Sequence, residues 1–295
     1  MGKNTSIEWT EHTFNPWWGC AKVSPACTHC YAEAWAARFG GDLWGAKATR
    51  KTFGDKHWQE PLRWNTEAAA TRSRMRVFCA SMADVFEART DLDAERGKLW
   101  QRISQTPWLD WLLLTKRPEN IGRLVPWTSK WPSNVWLGTT VENQEWAERR
   151  LPHLLSHPSA RRFLSCEPLL GALDLSEWTM RRTASLYPID WVIAGGESGP
   201  SARPMLPGWV RRLRDQCRDT KILFHFKQWG HWAPAARSRT TRGTEVFWDE
   251  GSRQDVFMEA KGKKNAGRRL DGRTWDERPK GIAMTGRRGE MLAAN

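Results

Sequence analysis

The feature of this sequence that most constrains its fold is a repeated alternation of short apolar runs with longer segments of helical character. Each run is four to seven residues long and rich in β-branched and aromatic side chains, as is typical of buried strands. The six runs are Arg76–Ala80, Trp108–Leu114, Asn134–Gly138, Arg162–Ser165, Asp190–Ala194 and Lys221–Phe226. The segments long enough for crossover helices include Asp91–Thr106, Arg117–Val125, Gln144–Ser156 and Leu206–Arg218. With Thr13–Gly19 as a first strand, this alternation predicts an α/β fold, a parallel (β/α) partial or complete TIM-like barrel.

Polar or charged residues follow each of the six runs, at the point where the predicted strand ends. In α/β barrels the carboxyl ends of the strands hold the active site, so these residues are candidates for one common site. Taken singly, each has a plainer explanation: Asp84 could cap a helix, and Glu167 could be a surface charge. The candidates are Ser81, Asp84, Glu87, Lys116, Arg117, Glu142, Glu167, Glu197, Lys227 and Gln228.

Three cysteines near the N-terminus, Cys20, Cys27 and Cys30, lie within eleven residues at a spacing that can wrap one metal centre. A closed structural zinc site takes four ligands, whereas no fourth cysteine lies nearby. Three thiolates therefore favour a [4Fe–4S] cluster with one open iron. His29 could instead complete a zinc site, and the absence of any metal is a third possibility. The remaining cysteines stand in apolar contexts and are predicted to be buried small residues: Cys79, Cys166 and Cys217.

The chain has a formal net charge of +13 and a pI near 9.8, and it contains 21 tryptophans against two tyrosines. Such a positive excess favours polyanionic partners, here DNA, RNA or a nucleotide, and tryptophan offers flat faces on which bases stack. A solvated basic surface and core-filling tryptophans are the plainer explanations. No stretch approaches the ~18 apolar residues of a membrane helix and no apolar signal core begins the chain, so we expect a cytoplasmic protein without membrane contact.

The domain organisation follows from the end of the alternating pattern. We predict a barrel domain over residues 1–232 and a basic, turn-rich C-terminal extension over residues 233–295. Within the extension, Arg237–Arg253 is polar and predicts a loop or insertion, and Asp271–Trp275 predicts a hairpin turn. The last dozen residues are predicted to be disordered.

Eight motifs, read in order over about residues 5–232, resemble those of the phage Gp37/Gp68 family, a DUF5131-type group found in phages and bacteria. That family is similar to radical S-adenosylmethionine (SAM) enzymes, and its members often occur with a three-Cys-motif partner protein. The motifs are Asn15–Cys20, Cys27–Tyr31, Ser81–Asp84, Leu114–Pro118, Trp136–Glu142, Ser165–Leu169, Gly195–Gly199 and Phe226–Gly230.

The resemblance implies a radical-SAM-like iron–sulfur enzyme that takes an electron from a donor, cleaves SAM reductively and acts on a nucleic-acid or nucleotide substrate. The cluster would lie on the three N-terminal cysteines. By position and charge, SAM would be bound by Ser81, Asp84, Glu87, Lys116, Arg117, Glu142 and Glu167. Catalytic contacts to the substrate would be left to Glu197, Lys227 and Gln228.

The sequence departs from the usual radical-SAM signature in three respects. The gap between the first two cysteines is six residues rather than three, and His29 stands at the usual aromatic position. The Gly195–Glu197 motif follows the sixth predicted strand rather than the second. Two other functions therefore stay open: a non-catalytic nucleic-acid-binding protein with a structural zinc site, and a magnesium-dependent, nuclease-like hydrolase, which the lysine and arginine at the same edge disfavour.

Overall fold

The computed structural model describes residues 3–5, 7–38, 42–180, 186–236 and 243–281. The strands are β1 (His12–Thr13), β2 (Met75–Cys79), β3 (Leu109–Thr115), β4 (Val135–Thr140), β5 (Arg161–Cys166), β6 (Trp191–Gly195), β7 (Leu223–Gln228), β8 (Trp232–Pro234), β9 (Thr244–Asp249) and β10 (Gln254–Ala260). The helices are α1 (Tyr31–Ala37), α2 (Asp55–Trp58), α3 (Glu60–Thr71), α4 (Asp93–Gln105), α5 (Ile121–Leu124), α6 (Gln144–Leu155), α7 (Ser176–Met180), α8 (Pro207–Asp219) and α9 (Lys263–Ala266). Short 3₁₀ turns occupy Pro25–Cys27, Thr90–Leu92 and Pro118–Asn120.

Strands β1 to β7 form one parallel sheet in which spatial order follows sequence order. Each strand pairs with the next in parallel, and helices cover the connections. Among the described residues β1 and β7 do not pair with each other, so the sheet is a partial barrel with an open side. The α/β partial barrel expected from the sequence is therefore confirmed.

The two faces of this sheet are both apolar, because side chains alternate between them along each strand. The outer face packs against α4, α6 and α8 in the largest hydrophobic cluster, which includes Trp111 and Leu137. The inner face is filled by a second, mainly aromatic cluster: Trp9, Phe78, Leu112, Trp136, Phe163, Trp191 and Ile193. This inner cluster closes the barrel towards the amino ends of its strands and leaves the polar residues at the carboxyl ends.

A smaller antiparallel sheet, in the order β8–β10–β9, follows the barrel. The fully buried Asp249 joins it to α8, because its carboxylate accepts a hydrogen bond from the Gly208 amide at 2.6 Å. Beyond β10 the chain returns to β7, where the Phe226 amide donates to the Trp275 carbonyl at 2.9 Å. Leu270 and Trp275 are buried in the core that covers the outer face of the barrel.

The six strands after the first are confirmed, each within two residues of its predicted bounds, and so are the helices predicted at α4, α6 and α8. The predicted segment Arg117–Val125 divides into a 3₁₀ turn and the short α5. Cys79, Cys166 and Cys217 are buried as expected, and burial raises the pKa of each thiol.

The predicted first strand exists, but its bounds of Thr13–Gly19 were wrong, because the strand that pairs with β2 is His12–Thr13. The chain leaves the ladder at Asn15, whose side-chain oxygen accepts the Met82 amide at 2.7 Å. Pro16, which follows, has no N–H to donate to a neighbouring strand.

The prediction of a loop or insertion over Arg237–Arg253 was wrong for the residues from 243 onward, because they include the strand β9. The residues of β9 pair antiparallel with β10. Residues 237–242 and the last dozen residues lie outside the described part of the chain. The hairpin turn at Asp271–Trp275 is confirmed, with Leu270 and Arg273 exchanging both backbone hydrogen bonds. The division at residues 232 and 233 stays a prediction.

No helix in the described part of the chain combines the length and the apolar character needed to cross a membrane.

Candidate metal centre

The three N-terminal cysteines lie on residues 19–30, which we call the cysteine loop. The loop begins at Gly19, whose amide donates to the Met82 carbonyl at 3.0 Å, just beyond the end of β2. Gly19 has a φ of +113°, and a Cβ there would lie 2.4 Å from the Leu43 carbonyl oxygen, so only glycine fits. The three thiols are half-buried, at the carboxyl edge of the sheet.

Arg117, which follows β3, holds the beginning of the cysteine loop. Its guanidinium donates to the Ala21 carbonyl at 2.8 Å and lies 3.6 Å from the Cys20 sulfur. The Asp84 carboxylate accepts from the same guanidinium at 2.9 Å and from the Thr115 hydroxyl at 2.7 Å. Burial is the largest single influence and acts to lower the pKa of Arg117, but Asp84, Cys20 and Glu87 together outweigh it and the pKa is raised. A permanent positive charge therefore lies beside Cys20.

Glu142, which is completely buried after β4, supports the middle of the loop. One carboxylate oxygen accepts from the Ala26 amide at 3.4 Å, and the other accepts from the Arg150 guanidinium at 2.7 Å. Arg150, on α6, also donates to the Thr140 carbonyl at 2.9 Å and lies over the Trp146 ring. Glu142 thus connects the residue before Cys27 to a helix on the outer face.

Glu197, which follows β6, supports the end of the loop through two partners. Its carboxylate accepts from the backbone amide and the side-chain Nε and Nη2 atoms of Arg203, at 2.6 to 2.9 Å, and it lies 3.1 Å from His29 Nδ1. Burial acts to raise the pKa of Glu197, but the hydrogen bonds from Arg203 and His29 outweigh it and the pKa is lowered. Arg203 Nη2 also donates to the Pro25 carbonyl at 2.9 Å. Two points of the loop are therefore held at the end of β6.

The end of β2 contacts the last residue of the cysteine motif. The Tyr31 hydroxyl donates to the Ser81 carbonyl at 2.9 Å while 58% of the residue is exposed. The Ser81 hydroxyl lies 3.1 Å from the Asn15 amide nitrogen. Glu87, farther along, forms a buried two-point ion pair with Arg50 at 2.7 and 3.0 Å.

A second polar cluster lies at the ends of β5 and β7. The Lys227 ammonium lies 2.7 and 2.8 Å from the two oxygens of Glu167, and the Gln228 amide donates to Glu167 at 3.1 Å. Gln228 also donates to the Ser198 hydroxyl at 3.1 Å. Lys116 is half-buried, and within the described ranges its ammonium has no hydrogen bond or ion pair.

The structure therefore divides the residues predicted from the strand ends into two groups. Those that contact or support the cysteine loop and its surroundings are Ser81, Asp84, Glu87, Arg117, Glu142 and Glu197. Those that gather at β5 and β7 are Glu167, Lys227 and Gln228, with Lys116 after β3. Their roles towards SAM and substrate stay predictions.

Sequence reasoning missed the arginines that pair with these acids: Arg50, Arg150 and Arg203. An arginine in a sequence carries no sign of its partner, because the pairs are 6 to 37 residues apart and form only in the folded chain.

The three thiols of the cysteine loop are the residues that could hold a metal group at this edge of the sheet. Within residues 3–281, apart from the ranges that the structure does not describe, no three His, Cys, Asp or Glu side chains gather closely enough to hold one ion. His29 contacts Glu197 instead of joining the cysteines. Burial raises the pKa of the Cys20 thiol to about 11, and the neighbouring Arg117 acts in the opposite direction.

A family model matches residues 4–279, and its description is "Protein of unknown function (DUF5131)". The chain belongs to the DUF5131 family. The match confirms that part of the resemblance and extends beyond the eight motifs into the C-terminal segment.

No curated protein matches the chain. Among solved structures, spore photoproduct lyase complexed with dinucleoside spore photoproduct is 10% identical, with a TM-score of 0.46, and the match covers 90% of this chain and 72% of that one. A double mutant of the lyase with bound AdoMet and dinucleoside spore photoproduct is also 10% identical, with a TM-score of 0.43, covering 88% and 73%. With TM-scores below 0.5, these likenesses are too remote to bear on function.

Proposed function

We propose that the chain is a radical-SAM-type iron–sulfur enzyme that carries a [4Fe–4S] cluster on Cys20, Cys27 and Cys30 and acts on a nucleic-acid or nucleotide substrate. One observation carries the proposal. Three half-buried thiols lie on a single loop, and that loop is held against the ends of β2, β3, β4 and β6 of a partial parallel barrel. This is the edge at which α/β barrels carry their active sites.

A cluster with SAM bound would supply the electron that cleaves the sulfonium C–S bond of SAM. The chain's own residues hold the loop and set its charge. Arg117 offsets the negative charge of a thiolate at Cys20, while Glu142 and the Glu197–Arg203 pair hold the backbone on either side of Cys27.

Some of the residues proposed to contact SAM or substrate already form hydrogen bonds with other residues of the chain, and others do not. Asp84, Glu87, Glu142 and Glu197 each accept hydrogen bonds from an arginine, so any ligand contact there would be shared. Lys116 is half-buried and unengaged, and the Glu167–Lys227–Gln228 cluster is partly exposed. These residues are the better placed to meet a ligand, whereas the hydroxyl of Ser81, at the end of β2, already contacts the Asn15 side chain.

The partners proposed for this enzyme are an electron donor, DNA, RNA or a nucleotide as substrate, and a three-Cys-motif protein. The formal net charge of +13 supports the polyanionic substrate. A cytoplasmic location is proposed as well, because reduced thiols persist there.

The test is anaerobic purification followed by iron and sulfide analysis and EPR of the dithionite-reduced protein, with and without SAM. We expect about four irons per chain and a cluster signal that shifts when SAM is added. Cys27→Ala should lose iron and signal, whereas Cys217→Ala, a matched change in the core, should keep both. Stoichiometric zinc without an EPR signal would contradict the proposal and favour a nucleic-acid-binding module with a structural zinc.

A further inference from the structure

A row of polar residues crosses three neighbouring strands next to the cysteine loop. Thr140 on β4 is the partner of Ser165 on β5. Thr115 is the partner of Thr139, so Lys116, which follows β3, stands level with Thr140. The row is therefore Lys116, Thr140 and Ser165, in spatial order.

Thr140 and Ser165 share the inner face of the sheet. Ser165 comes two residues after Phe163, which belongs to the inner aromatic cluster. Thr140 comes two residues after Gly138, and a Cβ on Gly138 would lie 2.3 Å from the Phe163 ring. Both hydroxyl residues thus lie directly above the apolar filling of the barrel.

These polar groups lack hydrogen-bond partners in the described part of the chain. Thr140 is 1% exposed and its hydroxyl oxygen is buried without a partner. Ser165 is 5% exposed, and within the described ranges its hydroxyl makes no hydrogen bond, although it is not among the fully buried atoms that lack a partner. An unpaired buried hydroxyl is costly, so native proteins keep one where a water or a ligand completes it. By contrast, the neighbouring Thr139 hydroxyl donates to the Thr115 carbonyl at 2.9 Å.

The charges beside the row indicate which kind of ligand group would bind to its unpaired polar groups. Glu167 and Lys227 lie next along the carboxyl edge and neutralise each other. The unpaired ammonium of Lys116 is therefore the main charge beside the row. An ammonium with two hydroxyl donors suits an oxyanion.

We propose that Lys116, Thr140 and Ser165 form a subsite for the oxyanion of a bound small molecule, a carboxylate or a phosphate group. The inference rests on the proposed function for the identity of that molecule, because SAM carries a carboxylate and a nucleotide carries a phosphate. The unpartnered groups themselves exist without a cluster.

The experiment measures equilibrium binding and thermal unfolding of the full chain, before and after cluster loading. The probes are inorganic phosphate, a deoxynucleoside 5′-monophosphate and SAM. Thr140→Val keeps the side-chain shape and removes only the hydroxyl. We expect it to raise Tm by about 1 to 3 °C without ligand and to weaken binding about 5- to 10-fold. Lys116→Met should weaken binding at least about 10-fold.

Thr139→Val is the matched control on the same strand. Its hydroxyl is already hydrogen-bonded, so the change should lower Tm and leave binding unchanged. Weakened SAM binding alone would assign the subsite to a carboxylate, and weakened phosphate and monophosphate binding alone would assign it to a phosphate. Unchanged affinity for every probe in Thr140→Val and Lys116→Met would overturn the subsite.

Failure of the proposed function is read separately, from iron content and EPR. Binding of phosphate or the monophosphate to protein without iron would still establish the subsite if both variants weakened it.

Discussion

Each of four acidic side chains beyond the strand ends is paired with an arginine from elsewhere in the chain. The pairs are Asp84–Arg117, Glu87–Arg50, Glu142–Arg150 and Glu197–Arg203. Three of the pairs contact or support the cysteine loop directly. A buried ion pair adds little net stability, but removing one partner leaves an uncompensated charge that costs roughly 3 to 5 kcal/mol. The acids of these three pairs therefore help to fix the geometry of the cysteine loop.

His225, on β7, is a buried residue whose charge state should govern stability in acid. It is 2% exposed, neither ring nitrogen has a hydrogen bond within the described ranges, and burial lowers its pKa to about 4. The unfolded chain has a pKa near 6.5 and binds a proton first as the pH falls. The stability that comes from keeping His225 neutral is therefore fully present above about pH 6.5 and is lost progressively as the pH falls towards 4.

We expect His225→Phe to reduce this acid sensitivity. Between pH 7 and pH 4 the variant should lose roughly 2 to 3 kcal/mol less unfolding free energy than the parent chain. Urea unfolding at a series of pH values measures the difference. His153→Gln, a change at an exposed histidine of α6, is the control. Equal slopes for the parent chain and His225→Phe would contradict the prediction.

At the scale of elements, the register of β4 against β5 depends on one close approach. The Phe163 ring occupies the space that a side chain on Gly138 would need, and it closes the inner face there. A residue with a Cβ at this position must displace a buried ring from a densely packed interior. The row formed by Thr140 and Ser165 begins two residues farther along, so this contact also sets the floor of the proposed subsite.

Gly138→Ala should destabilise the protein by about 1 to 3 kcal/mol, since Phe163 would leave its rotamer or the strands would separate. Gly97→Ala is a matched change in α4, where nothing lies within 4 Å of the added methyl group. It should stabilise the protein by about 0.5 to 1 kcal/mol, because alanine favours a helix interior. Chemical unfolding of both variants compares them, and equal effects would refute the packing argument.

At the scale of the whole molecule, the C-terminal segment completes the barrel it follows. Trp275 is 6% exposed, contacts Phe224 and lies beneath the Arg273 guanidinium. The Glu277 carboxylate accepts the Phe224 amide of β7 at 3.0 Å. Residues well beyond 232 thus cover the last strand of the main sheet.

Trp275→Ala should lower the unfolding free energy by about 3 to 5 kcal/mol, because it removes a large side chain from the core. Trp248→Ala, on the exposed face of β9 with 59% exposure, should change it by less than about 0.5 kcal/mol. Urea unfolding followed by tryptophan fluorescence and by circular dichroism measures both. If Trp275→Ala left the main transition unchanged, residues 1–232 would be an independent folding unit, as the proposed domain division requires.

The sequence by itself determined the alternation of strands and helices, the parallel sheet and the edge at which the polar residues lie. These follow from local pattern, since short runs of β-branched and aromatic residues such as Trp191–Gly195 favour a strand buried on both faces. It also placed the three cysteines after the first strand, although β1 proved to be two residues long.

Only the tertiary structure decided which partner each polar residue has. Arg203 approaches Glu197 and Pro25 because a loop beyond β6 folds over the carboxyl edge, and no local pattern encodes that meeting. The strand β9 was missed because only one of its six residues is buried and because its pairing depends on β10. Alternation along a strand is a short-range property of the backbone. Ion pairs and the pairing of edge strands depend instead on contacts between separate segments, which form only when the chain has folded.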